Sequence, residues 1–268
     1  MQPFRFHLTS IARLVALAIA GICLVPGIAV AVDIRVVSSG GFAAAYRTLA
    51  PLFESKTGNH LVTGWGPSMG NTADAVPKRI ERHEPMDVVI MVGIALEKLI
   101  DERKIIADSR VDLARSAIGV AVRAGALRPD ISSVDALRQA LLNAKSIAYS
   151  DSASGVYVSS ELFKRLGIAN KVSGKSRMIP AEPVGLVIAR GEAEIGFQQI
   201  SELKPIAGID LLGPLPAEVQ KSTVFSAGIV VGAKEPEAGK ALIAFLASPT
   251  AARAITDSGL EPIAAGGM

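Results

Sequence analysis

The chain has 268 residues, and its 28 lysines and arginines face 25 aspartates and glutamates. Two of the basic residues, Arg5 and Arg13, fall in an apolar N-terminal stretch, which leaves 26 against 25, a balance that argues against nucleic acid or an anionic membrane surface as partner. The single cysteine, Cys23, lies in the same stretch, so a disulfide, a thiolate metal site and a cysteine nucleophile are excluded from the remainder.

Residues 1–31 read as a secretory signal peptide. Arg5 and Arg13 give a basic start, an apolar run follows from Leu14 to Val30, and Ala29-Val30-Ala31 supplies a small-residue cleavage site. Ile22 is bulky where a lipid-anchored protein needs a small residue before its cysteine, so the expectation is cleavage and a periplasmic product. A mature chain of this length can bury a sufficient core without disulfides.

Strand and helix signals then alternate, which favours an α/β fold. Ile34–Val37 predicts a strand that runs into Ser38-Ser39-Gly40-Gly41 and a helix over Phe42–Lys56, closed by Gly58. Leu61–Trp65 predicts a strand ending at Gly66-Pro67-Ser68-Met69-Gly70-Asn71, with a helix continuing to about His83. Asp87–Val92 is a continuous apolar strand, as in a sheet covered on both faces, with a helix over Ala95–Arg103. Leu113–Arg123 reads as one long strand and Val134–Ala144 as a helix. Ser146–Tyr149 predicts a short strand ending at Ser150-Asp151-Ser152-Ala153-Ser154-Gly155, before a helix over Val156–Leu166. A helix opens at Glu182-Pro183, where proline's missing N–H costs nothing, and Glu194–Gln198 is a strand. Pro205, Pro214 and Pro216 mark an irregular connection. Phe225–Gly232 is a strand, and Ala238–Ala247 and Ala251–Ser258 are helices.

Three strand-to-helix turns carry small polar residues, and a fourth helix opens at Glu182-Pro183-Val184. The first N–H groups of a helix have no internal partner, and glycine lets a ligand oxygen approach the backbone. In an open α/β sheet, ligands sit beyond the carboxyl ends of the strands. If these turns converge, they hold an anion without an arginine. The competing reading is that each turn only caps its own helix.

Other chemistry finds little support. There is no G-x-x-x-x-G-K-S/T and no G-x-G-x-x-G after a strand. His60 and His83 lack metal-ligand spacing, so no metal site is expected. No G-x-S-x-G elbow supports a secreted hydrolase. With eight phenylalanines, three tyrosines and one tryptophan, an aromatic stacking platform is not expected. Asp151 and Glu182 are carboxylates on candidate turns, and the Gln198-Gln199 pair could supply amide donors.

The order of these segments resembles the type II periplasmic solute-binding proteins, specifically the molybdate-binding-protein-like group. Ser38-Ser39-Gly40-Gly41-Phe42, Thr57-Gly58, Ser68, Pro85–Ile90, Ser154-Gly155-Val156-Tyr157, Ala189–Gly196 and Phe245–Pro249 carry the likeness. It implies two α/β lobes joined by two crossover strands around an interlobe cleft. One lobe would hold residues 32–114 plus 225–268 and the other 115–224. The oxyanion-holding places of the molybdate binders fall on Gly41, Ser68, Val92, Ser154, Val184 and Gln199. The usual first-turn serine falls on Gly41 and a usual tyrosine on Gln199, departures that allow a larger anion than molybdate.

A narrower set of segments is similar to the bacterial aconitate isomerases: Ser38–Phe42, Gly66–Gly70, Val88–Gly93, Tyr149–Tyr157 and Gly196–Gln199. That resemblance implies a cofactor-free periplasmic enzyme interconverting trans- and cis-aconitate by an allylic proton shift, and a monomer is expected. The substrate-binding residues expected are Ser38, Ser39, Gly40, Gly41, Ser68, Met69, Val92, Ser154, Gly155, Val184 and Gln199. The candidates for proton transfer are Asp151, Glu182 and Tyr157. The alternative is a non-catalytic binding protein that delivers an oxyanion or small carboxylate to an ABC-type membrane permease.

Overall fold

The computed structural model describes residues 31–263. The leader expected over residues 1–31, with Cys23, lies outside the described residues save for Ala31. Eleven strands are described: β1 (Asp33–Ser38), β2 (His60–Trp65), β3 (Val88–Val92), β4 (Val111–Ser116), β5 (Ile118–Arg123), β6 (Ile147–Ser150), β7 (Ser176–Ile179), β8 (Ile195–Gln199), β9 (Ile209–Pro214), β10 (Thr223–Ile229) and β11 (Glu261–Pro262). They form two sheets, in the orders β11-β4-β10-β3-β1-β2 and β7-β6-β8-β5-β9. This mixed α/β architecture is the type II periplasmic-binding-protein fold that the resemblance implied.

In the first sheet β1 pairs in parallel with β2 and β3, while β10 returns antiparallel between β3 and β4. The helix α1 (Gly40–Thr57) connects β1 to β2, and α2 (Val76–Glu81) and α3 (Gly93–Asp101) flank β3. The apolar run of β3 divides by strand alternation. Val88, Ile90 and Val92 face a core with Phe42, Leu49, Phe53, Phe225 and Leu242. Val89 and Met91 face the other side, with Val76, Ile80, Leu96 and Leu99. Full burial of each such side chain contributes roughly 1.5–3 kcal/mol, so a sheet covered on both faces explains why the segment carries no polar residue.

In the second sheet β6 is parallel to β7 and β8, and β5 is antiparallel to β8 and β9. Its helices are α4 (Val134–Asn143), α5 (Ala153–Tyr157), α6 (Val184–Ala189) and α7 (Ile200–Leu203). The chain returns to the first sheet through β10 and closes with α8 (Pro236–Leu246) and α9 (Ala252–Asp257).

Several boundaries differ from the sequence expectations. The long strand expected over Leu113–Arg123 is two strands, β4 in the first sheet and β5 in the second, broken at Ala117. The turn expected over Gly66–Asn71 continues through residue 75, and α2 begins only at Val76, with Pro77 in its first turn. The irregular connection around Pro205 and Pro214 contains the edge strand β9. The helix after Ser152-Ala153 starts three residues earlier than expected and passes through a wider turn over Val158–Leu162.

Asp87 ties the first sheet together. It is buried, and its carboxylate accepts from the backbone N–H groups of Arg35 (2.8 Å), Lys234 (2.7 Å) and Glu235 (3.0 Å). One side chain thus joins β1 to the approach of α8.

Candidate anion-binding cavity

A cavity of about 230 Å³ opens between the two sheets, with walls drawn from chain positions as far apart as Ser39 and Phe225. Five helices begin on it. Their N-cap residues are Ser39 for α1, Val92 for α3, Ser152 for α5, Pro183 for α6 and Gln199 for α7, and all five line the cavity. None of the five caps its helix through a side chain. By contrast, the Ser133 hydroxyl at the start of α4, away from the cavity, accepts from Ala136 N–H (3.1 Å) in the ordinary way. Capping alone therefore does not account for the polar turns.

Two buried polar atoms on the cavity wall have no partner, the Ser39 hydroxyl and the Gln199 side-chain oxygen. A buried polar atom left unpaired costs about 1–3 kcal/mol, so a ligand that engages it recovers stability. The Gln199 amide nitrogen donates to the Thr223 hydroxyl (2.8 Å). A hydroxyl donates as readily as it accepts, so turning the amide over would keep that bond and aim two N–H donors at the cavity.

The sequence-derived site residues divide into two groups. Ser39, Gly40, Gly41, Ser68, Val92, Asp151, Glu182 and Gln199 line the cavity together. The others stand outside its lining. Ser38 is buried in β1, with its hydroxyl donating to Ser39 O (3.3 Å). Met69 turns to a separate hollow beside Lys98 and Glu102. The Ser154 hydroxyl pairs with that of Ser150 (3.0 Å), and Gly155 packs against the Ser150 backbone. Val184 N–H is already engaged by the Gln198 side-chain oxygen (2.8 Å). Tyr157 drops out as a proton-transfer candidate, because its hydroxyl donates to Val219 O (2.6 Å), accepts from Arg165 (3.2 Å) and sits in the second-sheet core.

Glycines 40 and 41 are needed for close approach. A side chain at Gly41 would run into the ring of Phe225, and one at Gly40 would run into the Glu202 carboxyl. The first contact closes the cavity floor with a β10 residue. The second brings a carboxyl group to the start of α1.

No lysine or arginine is among the lining residues, yet four carboxylates are: Asp74, Asp151, Glu182 and Glu202. Glu182 is paired with Arg190 through both guanidinium terminal nitrogens (3.1 Å each). Burial raises Asp151 above the usual carboxylate range, opposed by the N–H of Ala181 and its own N–H. Ala181 holds φ at 61°, a left-handed conformation that a non-glycine residue adopts at a cost of roughly 1–2 kcal/mol. Burial pushes Glu202 up to about 7, against the Gln198 side chain and the Gln199 N–H, with the charge of Asp151 adding to the rise. The formal acidity of the cavity is thereby reduced near neutral pH.

Sequence reasoning missed Glu202. It sits three residues after the N-cap Gln199, a position where acidic residues favour helix starts. That signal was present, but the short α7 had not been recognised.

The family model for the bacterial extracellular solute-binding proteins matches residues 34–261. The chain belongs to this family. Over 232 residues it is 53% identical to an aconitate isomerase of Pseudomonas sp, covering 87% of this chain and 88% of that protein. It is 26% identical over 257 residues to the molybdate-binding protein ModA of Azotobacter vinelandii, covering 92% of this chain and 96% of that one. The solved periplasmic molybdate-binding protein of Azotobacter vinelandii superposes with a TM-score of 0.68 at 22% identity, covering 85% of this chain and 98% of that chain. This likeness supports the two-sheet fold around the cavity.

Proposed function

We propose that this protein is an isomerase that interconverts trans- and cis-aconitate in the cavity between its sheets. The observation that carries the reading is the 53% identity to an aconitate isomerase over 87% of the chain, against 26% to a molybdate-binding protein. The cavity chemistry agrees with it. Aconitate carries a methylene carbon, a double bond and three carboxylates. Taking a proton from the methylene and returning one to the former vinyl carbon moves the double bond by one position and leaves the formula unchanged. Rotation about the intervening single bond sets whether the new double bond is cis or trans.

Negative charge builds on the three-carbon unit and its carboxylates during this shift. The N-termini of α1 and α3, with the hydroxyls of Ser39 and Ser68, supply fixed donors for that charge. Gly41 and Gln199 stand where molybdate binders carry larger donors in the resemblance, which leaves room for a larger acid. The lobes, residues 32–114 with 225–268 and residues 115–224, would close on the substrate and exclude water. Residues 1–31 would direct the chain to the periplasm and be removed.

Mixing the purified protein with trans-aconitate and following ultraviolet absorbance tests the reading, with a catalysed change to an equilibrium mixture expected. No turnover, combined with tight molybdate or tungstate binding by calorimetry, would instead favour a binding protein serving an ABC-type permease.

A further inference from the structure

Resting on the isomerase reading, we propose that Glu202 is the group that carries the migrating proton. Three placements support this. First, Glu202 lines the cavity, and its carboxyl lies against Gly40, at the uncapped start of α1. Second, the neighbouring amide of Gln198 has a fixed orientation. Its oxygen accepts from Val184 N–H (2.8 Å), so its NH2 group is the part left to face Glu202. Gln198 is thus a positioning residue that presents one face of the Glu202 carboxyl to the cavity. Third, the other carboxylates on the wall are less suited. Glu182 is clamped by Arg190, and Asp74 is exposed on the loop before α2. Asp151 receives the N–H of Ala181, held by a strained backbone, which fits a role in fixing the 180–183 loop.

In the step assigned here, the Glu202 carboxylate removes a proton from the substrate methylene. The C–H electron pair spreads over the three-carbon unit and an adjacent carboxylate. Protonated Glu202 then returns the proton to the former vinyl carbon, forming the new C–H bond and restoring the carboxylate. No oxidant, reductant or co-reactant enters. Burial of the carboxyl brings its proton affinity close to neutral, where a group can both take and return a proton efficiently.

The test is E202Q, assayed beside wild type with trans-aconitate. Turnover should fall by about 10²–10⁴-fold. Affinity for the tricarboxylate should not fall by more than about threefold, since glutamine keeps the shape and removes a negative charge from the wall. The chain's one tryptophan, Trp65, lines the cavity, so its fluorescence reports that affinity directly. Active wild type with E202Q retaining more than about a tenth of its rate would overturn the Glu202 assignment alone. Inactive wild type would overturn the isomerase reading and the assignment with it. Should E202Q not fold, E202D decides: a fall in kcat of more than about tenfold with KM kept within about threefold supports the assignment, and an unchanged kcat overturns it.

Discussion

The Ser68 hydroxyl accepts a hydrogen bond from the backbone N–H of Val92, 2.9 Å away, across the gap between the 66–75 loop and the start of α3. The bond uses an acceptor lone pair and leaves the hydroxyl proton free to donate. Because Ser68 lines the cavity and is buried, that proton is available to a ligand and sheltered from water. A loop that makes no helix of its own thus supplies a cap to a helix elsewhere in the chain.

Ser68→Ala should remove both functions. Anion binding should weaken by about 1–2 kcal/mol, and unfolding free energy should drop by about 1 kcal/mol as Val92 N–H loses its acceptor. Ser154→Ala, which alters a hydroxyl already spent on Ser150, should change binding much less. Calorimetry and denaturant titration of the two variants provide the comparison. Equal losses in binding would mean that the Ser154 hydroxyl also meets the ligand.

Gly41→Ala should be costly for a different reason. The added methyl meets the Phe225 ring, and overpacking of this kind typically costs about 1–3 kcal/mol. Shrinking the opposing ring, as in Gly41→Ala with Phe225→Leu, should recover part of that loss, because residues in contact couple. Additive effects in a double-mutant cycle would contradict the contact.

The raised proton affinity of Glu202 has a consequence for stability. Its carboxyl titrates near 4.5 when unperturbed and is pushed up to about 7 in the fold. Below 4.5 it is neutral in both states and carries no penalty. As pH rises towards 7, the unfolded chain ionises first, so folding stability falls. Above about 7 the penalty is constant, at ~3 kcal/mol. Glu202→Gln should therefore be more stable than wild type at pH ~8 and lose that advantage by pH ~4. Urea unfolding at three pH values measures the gap, and a gap that does not vary with pH would show a carboxyl of ordinary affinity.

Asp87→Ala should unfold the first sheet rather than alter the cavity. It strands three backbone N–H groups on two separate segments, for an expected loss of about 3–5 kcal/mol. A thermal melt reads this directly. A stable variant with lost ligand binding would point to a role at the site instead.

What the sequence made legible follows from where each element sits. β3 was readable because a strand covered on both faces must be apolar throughout, and α1 because Phe42, Tyr46, Leu49 and Phe53 return on one face before Gly58. The missed strands β7 and β9 are both sheet edges. There Arg177 and Met178 are exposed and Ile209–Gly213 half-buried, so neither shows the alternation or the apolar run that marks a strand. The helix after the Gly66–Asn71 turn starts later than its residue types suggest, although Pro77, in the first turn of α2, marks where it could begin. At the site, the serine-glycine turns signalled their chemistry locally. The contact of Phe225 with Gly41, and of Glu202 with Gly40, depends on segments far apart in the chain that no local pattern records.

The cavity floor belongs to β10, the strand that enters the first sheet late in the chain and pairs with both β3 and β4. No fragment ending before Phe225 can therefore possess a finished binding site, however well its earlier strands are ordered. Competence should arrive in one step during refolding, concurrent with protection of the β10 amides from exchange. A separately supplied peptide spanning the C-terminal segment should restore recognition to a truncated chain that has none.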